Sequence, residues 1–355
     1  MITTISLNIL FIALTIILIL IFVNRNYRQT PTVKSFYVLG TIISLKVFGN
    51  KSQKAIEEAL ERLTDIDNKM SAFKDYSEIS KINLNAGTLA QVVSSDTYFL
   101  IKKAVEYSKL SEGAFDPTIR PLVALWGIGT EYERIPEKNE IEEKLKLVNY
   151  KDIVLNEINS SINLKKQNQS IDMGGITKGF AADEVKSILL QYGVTSAIID
   201  LGGNIFALGN KPNGEPWTIG IQNPFKPRGE YIGILSVKNK SVVTSGNYER
   251  LFIQDGITFH HILDPKTGYP SVSRVISATI ISNNSIDGDG LSTGVYIMGI
   301  DKAMKLIESI DGVDAIFVTD DKKVYVTCGI KENFKLSNNE FIYNKDYQFE
   351  KGLYK

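Results

Sequence analysis

Apolar and polar positions recur with two different periods along this chain, and each change of period marks an element. The stretch SFYVLGTIISLKV is rich in β-branched and aromatic residues, and from Phe36 to Val47 it predicts one strand, broken at Gly40. Ala55, Ile56, Ala59, Leu60, Leu63 and Ile66 recur at helical spacing, which places them on one helix face with Ser52 as candidate cap. A second helix is predicted from Ser95 to Ser111. Short strands at Asp152–Leu155 and Ser161–Leu164 flank the Asn/Ser turn NEINSS. A further helix begins near Gly175 and reaches Tyr192, and SAIIDLGGNIFALG then reads as strand, glycine turn and strand. Most of Trp217–Ile281 reads as strands between Pro/Gly turns, before a helix at Asp289–Met298. The elements do not alternate as regular βαβ units, so the pattern predicts an α+β fold with a mixed, largely antiparallel sheet and flanking helices.

The N-terminus departs from this pattern. Ile5–Val23 is almost wholly apolar, and the first charged side chain is Arg25. At roughly 1.5 Å per residue, about 20 such residues span a hydrocarbon core of roughly 30 Å, so the run predicts a transmembrane helix. A cleaved signal peptide would need a basic start and small residues before the cut, and both are missing. The polar, Pro-containing NRNYRQTPTV predicts a linker. The organisation expected is an anchor over 1–24, a linker over 25–33, one catalytic domain over 34–345 and a tail over 346–355. Arg25, Arg28 and Lys34 on the C-terminal flank favour a cytoplasmic side for that flank.

Composition narrows the chemistry. The 355 residues are 43% hydrophobic, enough for a large core. Forty Lys and Arg offset forty Asp and Glu, which gives no general basic surface for nucleic acid. One cysteine, Cys328, excludes an intrachain disulfide and a cysteine-based zinc cluster. Only two histidines occur, adjacent in HHILDPKTGYP as His260 and His261.

Two segments suit phosphate and a hard cation. SIDMGGITKGFAADEV puts Gly174, Gly175 and Gly179 at a helix start, where free N–H groups attract anions, but Lys178 is followed by glycine and the spacing is not that of a nucleotide-triphosphate loop. SIDGDGLSTGVYIMG places Asp287 and Asp289 ahead of a helix, with Ser292 and Thr293 on the face of Asp289, a set of oxygens that suits Mg2+. Each segment also has a plain structural reading, a tight helix entry and an Asp cap respectively. MSAFKDYSEISKIN, GAFDPTIRPLVALWG, DLGGN and VVTSGNYER are equally rich in special residues, and each is open to a local structural account.

Taken in order, MSAF…SEISKIN, GAFDPT…PL..LWG, DMGGITKGFAAD, DLGGN, TSGNYER, HHILDPKTGYP and DGLSTGVYIMG resemble the motif set of the ApbE family, the FAD:protein FMN transferases and flavin-trafficking proteins. The resemblance covers nearly all of residues 35–330 and implies a T-fold-like ApbE domain. It implies a Mg2+-dependent enzyme that attaches FMN from FAD to a threonine or serine of a partner redox protein through a phosphoester and releases AMP. FAD pyrophosphatase activity and non-catalytic flavin binding are the alternatives. By position, the resemblance implies Mg2+ ligands at Asp289, Thr293, Ser292 and the Thr177 carbonyl. It implies flavin or diphosphate contacts at Leu39, Phe73, Ala114, Phe115, Asp116, Gly174, Lys178, Phe180, His261 and Ile262. Relatives often carry Met, Tyr and Ala where this chain has Leu39, Phe73 and Thr177. His261 is implied as the base that takes the acceptor proton, with Asp264 orienting it or supporting the metal, while His260 points the other way along an extended strand. Family acceptors are membrane or extracytoplasmic redox proteins, so a membrane-anchored enzyme with an extracytoplasmic catalytic domain is expected.

Overall fold

Nine strands of the chain join into one sheet in the computed structural model, which describes residues 30–344 together with Thr15. In chain order they are β1 (Pro31–Val38), β2 (Thr41–Phe48), β3 (Ser196–Leu201), β4 (Asn204–Gly209), β5 (Lys240–Gly246), β6 (Val275–Ser282), β7 (Asp314–Thr319), β8 (Lys323–Val326) and β9 (Ile342–Tyr343). They lie side by side in that same order. Every neighbouring pair is antiparallel except β8 with β9, so the sheet is mixed and largely antiparallel as the pattern predicts. The helices are α1 (Ser52–Met70), α2 (Glu78–Leu84), α3 (Ser95–Leu110), α4 (Arg120–Trp126), α5 (Lys138–Leu145), α6 (Thr177–Gln191), α7 (Ser285–Met298) and α8 (Ile300–Glu308). Three short strand groups complete the fold. Phe334–Leu336, Tyr231–Val237 and Trp217–Gln222 form one; Gln91–Val92, Ser161–Leu164 and Ile153–Asn156 form another; Leu251–Gln254 and Ile257–His260 form a separate hairpin.

The period-two pattern sends alternate side chains of the sheet into two cores. In β7, Ala315 and Phe317 join the larger core, where Ile56, Leu63 and Ile66 of α1, Val185 and Leu189 of α6, and Leu291 and Val295 of α7 pack. Ile316 and Val318 face the opposite way, into a core closed by Trp217, Ile219 and Leu235 of the smaller sheet. Each fully buried side chain of this size contributes roughly 1.5–3 kcal/mol, so a sheet covered on both faces is a rigid platform for α6 and α7.

The stretch read as one broken strand is the hairpin β1–β2, which pairs Val38 with Thr41 across the turn Leu39–Gly40. Both turn residues have positive φ, 55° and 69°, as a two-residue hairpin loop of right-handed twist requires. Leucine in that region costs roughly 1–2 kcal/mol, so the tip holds Leu39 in a strained place. Strand β1 starts at Pro31, inside the stretch read as linker. The expected membrane localisation is corrected: among the described residues no helix is long and apolar enough to cross a membrane. Ile5–Val23, on which that expectation rested, and the tail 346–355 lie outside the described residues.

Candidate active site

Helices α6 and α7 touch where Gly179 meets Asp289. A Cβ on Gly179 would come within 2.5 Å of the Ser285 carbonyl and 2.7 Å of the Asp289 Cβ, so only glycine permits this crossing. The Gly179 N–H donates to Asp289 Oδ2 at 2.9 Å, and the Lys178 ammonium lies 3.6 Å from Oδ1. Asp289 itself is 4% exposed. Thr177 opens α6 with its hydroxyl turned back onto the Met173 carbonyl (2.8 Å), which leaves its own carbonyl as the group that a ligand would use.

The start of α7 differs from the expectation. It begins at Ser285, not at Asp289, because Asp183 of α6 accepts the N–H groups of Ser285 and Ile286, each at 2.9 Å. A cap supplied by another helix satisfies donors that the local sequence leaves open. Asp287 and Asp289 therefore lie within the helix. Asp287 takes the Tyr107 hydroxyl at 2.5 Å, and Asp289 faces α6.

One turn on from Asp289, Thr293 and Ser292 meet Ser245 at the end of β5. Ser245 Oγ donates to Ser292 Oγ at 2.8 Å and lies 3.2 Å from Thr293 Oγ1. Ser292 gives its own proton to the Asp289 carbonyl at 3.1 Å. Five residues beyond Ser245 in the same segment, the Arg250 carbonyl receives both the backbone N–H of His261 (3.1 Å) and its Nδ1 (3.2 Å). A carbonyl only accepts, so Nδ1 carries the proton and Nε2 remains as an acceptor. Desolvation pushes the His261 imidazole down to about 4, so it is neutral at ordinary pH. Ser245 and the Arg250 carbonyl are the links that sequence reasoning missed; TSGNYER marked the segment, but a carbonyl carries no residue signature.

The two histidines part as the extended geometry requires. His260 is buried at 6% exposure, and its ring sits edge-on to Tyr296 of α7, 6.0 Å away. Its Nδ1 accepts from the Ile262 N–H and its Nε2 donates to the Ser271 carbonyl (3.0 Å), the opposite tautomer to its neighbour. Among the described residues the hydrogen bonds of the two rings do not involve Asp264, whose carboxylate takes the Lys266 N–H at 2.8 Å and closes the DPKTG turn. The orienting place expected for Asp264 belongs to the Arg250 carbonyl. The turn is clamped from the GAFDPTIRPLVALWG segment, where fully buried Trp126 donates Nε1–H to the Gly268 carbonyl at 2.8 Å. Gly268 has φ +77° and sits where a Cβ would meet Ile141 at 2.5 Å, so the turn has no room for a side chain there.

The remaining expected contacts divide. Gly174 is exposed, and Leu39 is half-buried at the hairpin tip. Phe73 is 80% exposed, with the Arg120 guanidinium over its ring, 5.0 Å from the centroid. Arg120 also donates to the Ala72 carbonyl at 2.8 Å and lies 3.8 Å from Asp172 of the DMGG loop. It ties two segments expected to meet flavin; GAFDPTIRPLVALWG marked its segment, but nothing singled out the arginine within it. Ala114, Phe115 and Ile262 are buried, and Phe115 lies 3.1 Å from where a Gly175 Cβ would be. Asp116 turns inward, accepting Thr118 N–H and Oγ1–H and the Tyr150 N–H, so its carboxylate is spent on the loop. Burial raises its pKa. Phe180 packs against Phe99 and the Arg62 guanidinium, on helices that carry none of the other expected site residues.

Among the described residues no three His, Cys, Asp or Glu side chains gather around one point. That excludes a site built from several such side chains there, and leaves one carboxylate beside hydroxyls. Such a donor set fits Mg2+, which keeps waters and shares substrate phosphate oxygens. The near-absence of hydrogen bonds to the buried Asp289 carboxylate, one amide and one distant ammonium, leaves lone pairs for it.

The class defined by this fold and site is an α+β protein holding an oxygen-donor cluster and a neutral imidazole in one short segment's reach. The chain belongs to the ApbE family, whose model matches residues 39–317. Its relatives include a Treponema pallidum FAD:protein FMN transferase, 33% identical over 322 residues that cover 86% of this chain and 89% of that one. A Klebsiella pneumoniae FAD:protein FMN transferase is 35% identical over 306 residues, covering 86% and 92%. The crystal structure of the Thermotoga maritima ApbE protein superimposes with a TM-score of 0.78 at 34% identity, covering 85% of this chain and 99% of that chain. The Vibrio cholerae flavin transferase ApbE gives a TM-score of 0.78 at 27% identity, covering 85% and 99%.

Proposed function

We propose that this protein is a Mg2+-dependent FAD:protein FMN transferase, moving FMN from FAD to a threonine or serine hydroxyl of a partner redox protein and releasing AMP. The observation that carries this reading is the segment Ser245–Arg250, which holds the hydroxyls beside Asp289 at one end and His261 at the other. The relatives bearing that enzyme name support it.

Asp289, Thr293, Ser292 and the Thr177 carbonyl would hold the cation. Bound there, Mg2+ supplies Lewis-acid neutralisation of charge on the diphosphate. Lys178 and the Gly174 loop face the diphosphate, while Phe73, Leu39 and the Ala114–Phe115 backbone bound the flavin. His261 Nε2 takes the proton of the acceptor hydroxyl. That oxygen bonds to the FMN phosphorus as the bond from phosphorus to the bridging oxygen breaks, and AMP leaves with the electron pair. An imidazole at about 4 is a weak base in the free protein, and the negative diphosphate beside it raises its affinity for the proton. Phosphoryl transfer is governed by positioning and charge, so rigid support from both cores matters more than any single proton.

Incubating the protein with FAD, Mg2+ and a candidate acceptor domain, then weighing the acceptor and assaying free nucleotides, tests the reading. An FMN adduct with equal AMP supports transfer. Free FMN and AMP without adduct makes the protein an FAD pyrophosphatase, and neither product makes it a flavin binder without catalysis.

A further inference from the structure

Lys178 reaches the carboxylate of Asp289. Its ammonium lies 3.6 Å from Asp289 Oδ1 and donates a 3.0 Å hydrogen bond to the Gly174 carbonyl. Asp289 is 4% exposed, and among the described residues Lys178 is the one cation paired with it. A desolvated carboxylate needs a counter-charge, and the lysine provides it. A divalent cation entering the same carboxylate meets an ammonium already there, and two positive charges share one negative group. Gly174 is exposed in the loop that opens α6, the ammonium already bonds its carbonyl, and the Lys178 side chain is 29% exposed, so the ammonium can give up the longer contact to the carboxylate while it keeps its hold on the loop.

We propose that Lys178 is an exchangeable counter-ion that couples the binding of the diphosphate and of the cation. It holds Asp289 while the site is empty, moves to the diphosphate when that arrives, and so opens the carboxylate to the divalent ion. This rests on the reading of the site given above. The coupling is reciprocal, so each ligand tightens the other by the same factor. The lysine acts as a positioning residue on the metal, through occupancy of Asp289, and contributes attraction to the diphosphate only in the loaded state.

The test measures Mn2+ binding by calorimetry and by the free-ion electron paramagnetic resonance signal, with and without ADP. ADP carries the adenosine diphosphate half of FAD and has no FMN to transfer. The wild-type protein binds Mn2+ weakly alone and about tenfold or more tightly with ADP, within the usual range of coupling. Lys178→Met binds Mn2+ alone about tenfold tighter than wild type, and ADP then adds little. Lys178→Arg keeps the charge and behaves as wild type. Thermal melting establishes that each variant is folded. If Lys178→Met binds Mn2+ alone no tighter than wild type while Asp289→Asn abolishes binding, the counter-ion role is wrong and the cation site stands. If Asp289→Asn leaves Mn2+ binding unchanged, the cation site is wrong and the proposal falls with it.

Discussion

Asp183 holds the start of the helix that carries Asp289, Ser292 and Thr293, and its removal gives a calculable loss. Asp183→Ala deletes the acceptor of two 2.9 Å bonds from Ser285 and Ile286 N–H, and a 3.0 Å ion pair with Lys186. Truncating a capping residue costs roughly 0.5–2 kcal/mol, and a hydrogen bond to a charged group contributes roughly 1.5–3 kcal/mol where nothing replaces it. The Asp183 side chain is 18% exposed, so water reaches part of the space it vacates and offsets some of the second figure. The partly exposed pair with Lys186 adds little. The expected loss is therefore about 2 kcal/mol, at the upper end of capping values because two amides are freed. In a chain of 355 residues that lowers the melting temperature by roughly 3 °C. Asp183→Asn keeps one acceptor and turns an NH2 donor toward the second amide, so it recovers only part. Urea unfolding followed by far-ultraviolet circular dichroism reads the change. A loss below about 0.5 kcal/mol for Asp183→Ala would show that the first turn of α7 does not depend on this cap.

The depressed His261 makes stability depend on acid. Its folded value of about 4 lies below the ordinary imidazole value of 6.5, so the unfolded chain binds more protons between the two. Stability is complete above the unfolded value and falls as pH drops toward 4, by up to about 1.4 kcal/mol per pH unit from this group. His261→Ala should flatten that slope in urea midpoints measured from pH 7 to 4, and an unchanged slope would contradict the burial argument. His260→Ala should instead lower the melting temperature, because it empties a buried site and frees the Ser271 carbonyl, while His261→Ala slows FMN transfer far more than it destabilises. Equal effects on transfer would show that the two rings do not face opposite ways. Arg120→Ala removes the cation over Phe73 and should weaken FAD binding about fivefold, the value of one exposed cation–π contact of roughly 1 kcal/mol. Quenching of flavin fluorescence measures it, and an unchanged dissociation constant would remove Arg120 from the flavin site.

The long periodic stretches were legible because their partners are local: α1 follows from Ala55, Ile56, Ala59, Leu63 and Ile66, all buried on one face. What escaped were contacts made across the chain. The start of α7 is set by Asp183, 102 residues before Ser285, so no signal near Asp289 announces it. The orienting partner of His261 is a backbone carbonyl, and Trp126 reaches Gly268 from 142 residues away through another. Asp116 resembles a ligand by position, and only the amides of Thr118 and Tyr150 reveal that it faces inward. The motif spacing located the right segments; which atom of each segment points into the site is a property of tertiary packing.

The account stands most directly on the intact mass of an acceptor domain incubated with FAD, Mg2+ and either wild-type protein or Asp289→Ala. The account predicts an FMN adduct on a threonine or serine with the wild-type protein and an unmodified acceptor with Asp289→Ala, both proteins melting within a few degrees of each other. An adduct formed by Asp289→Ala at the wild-type rate would contradict it.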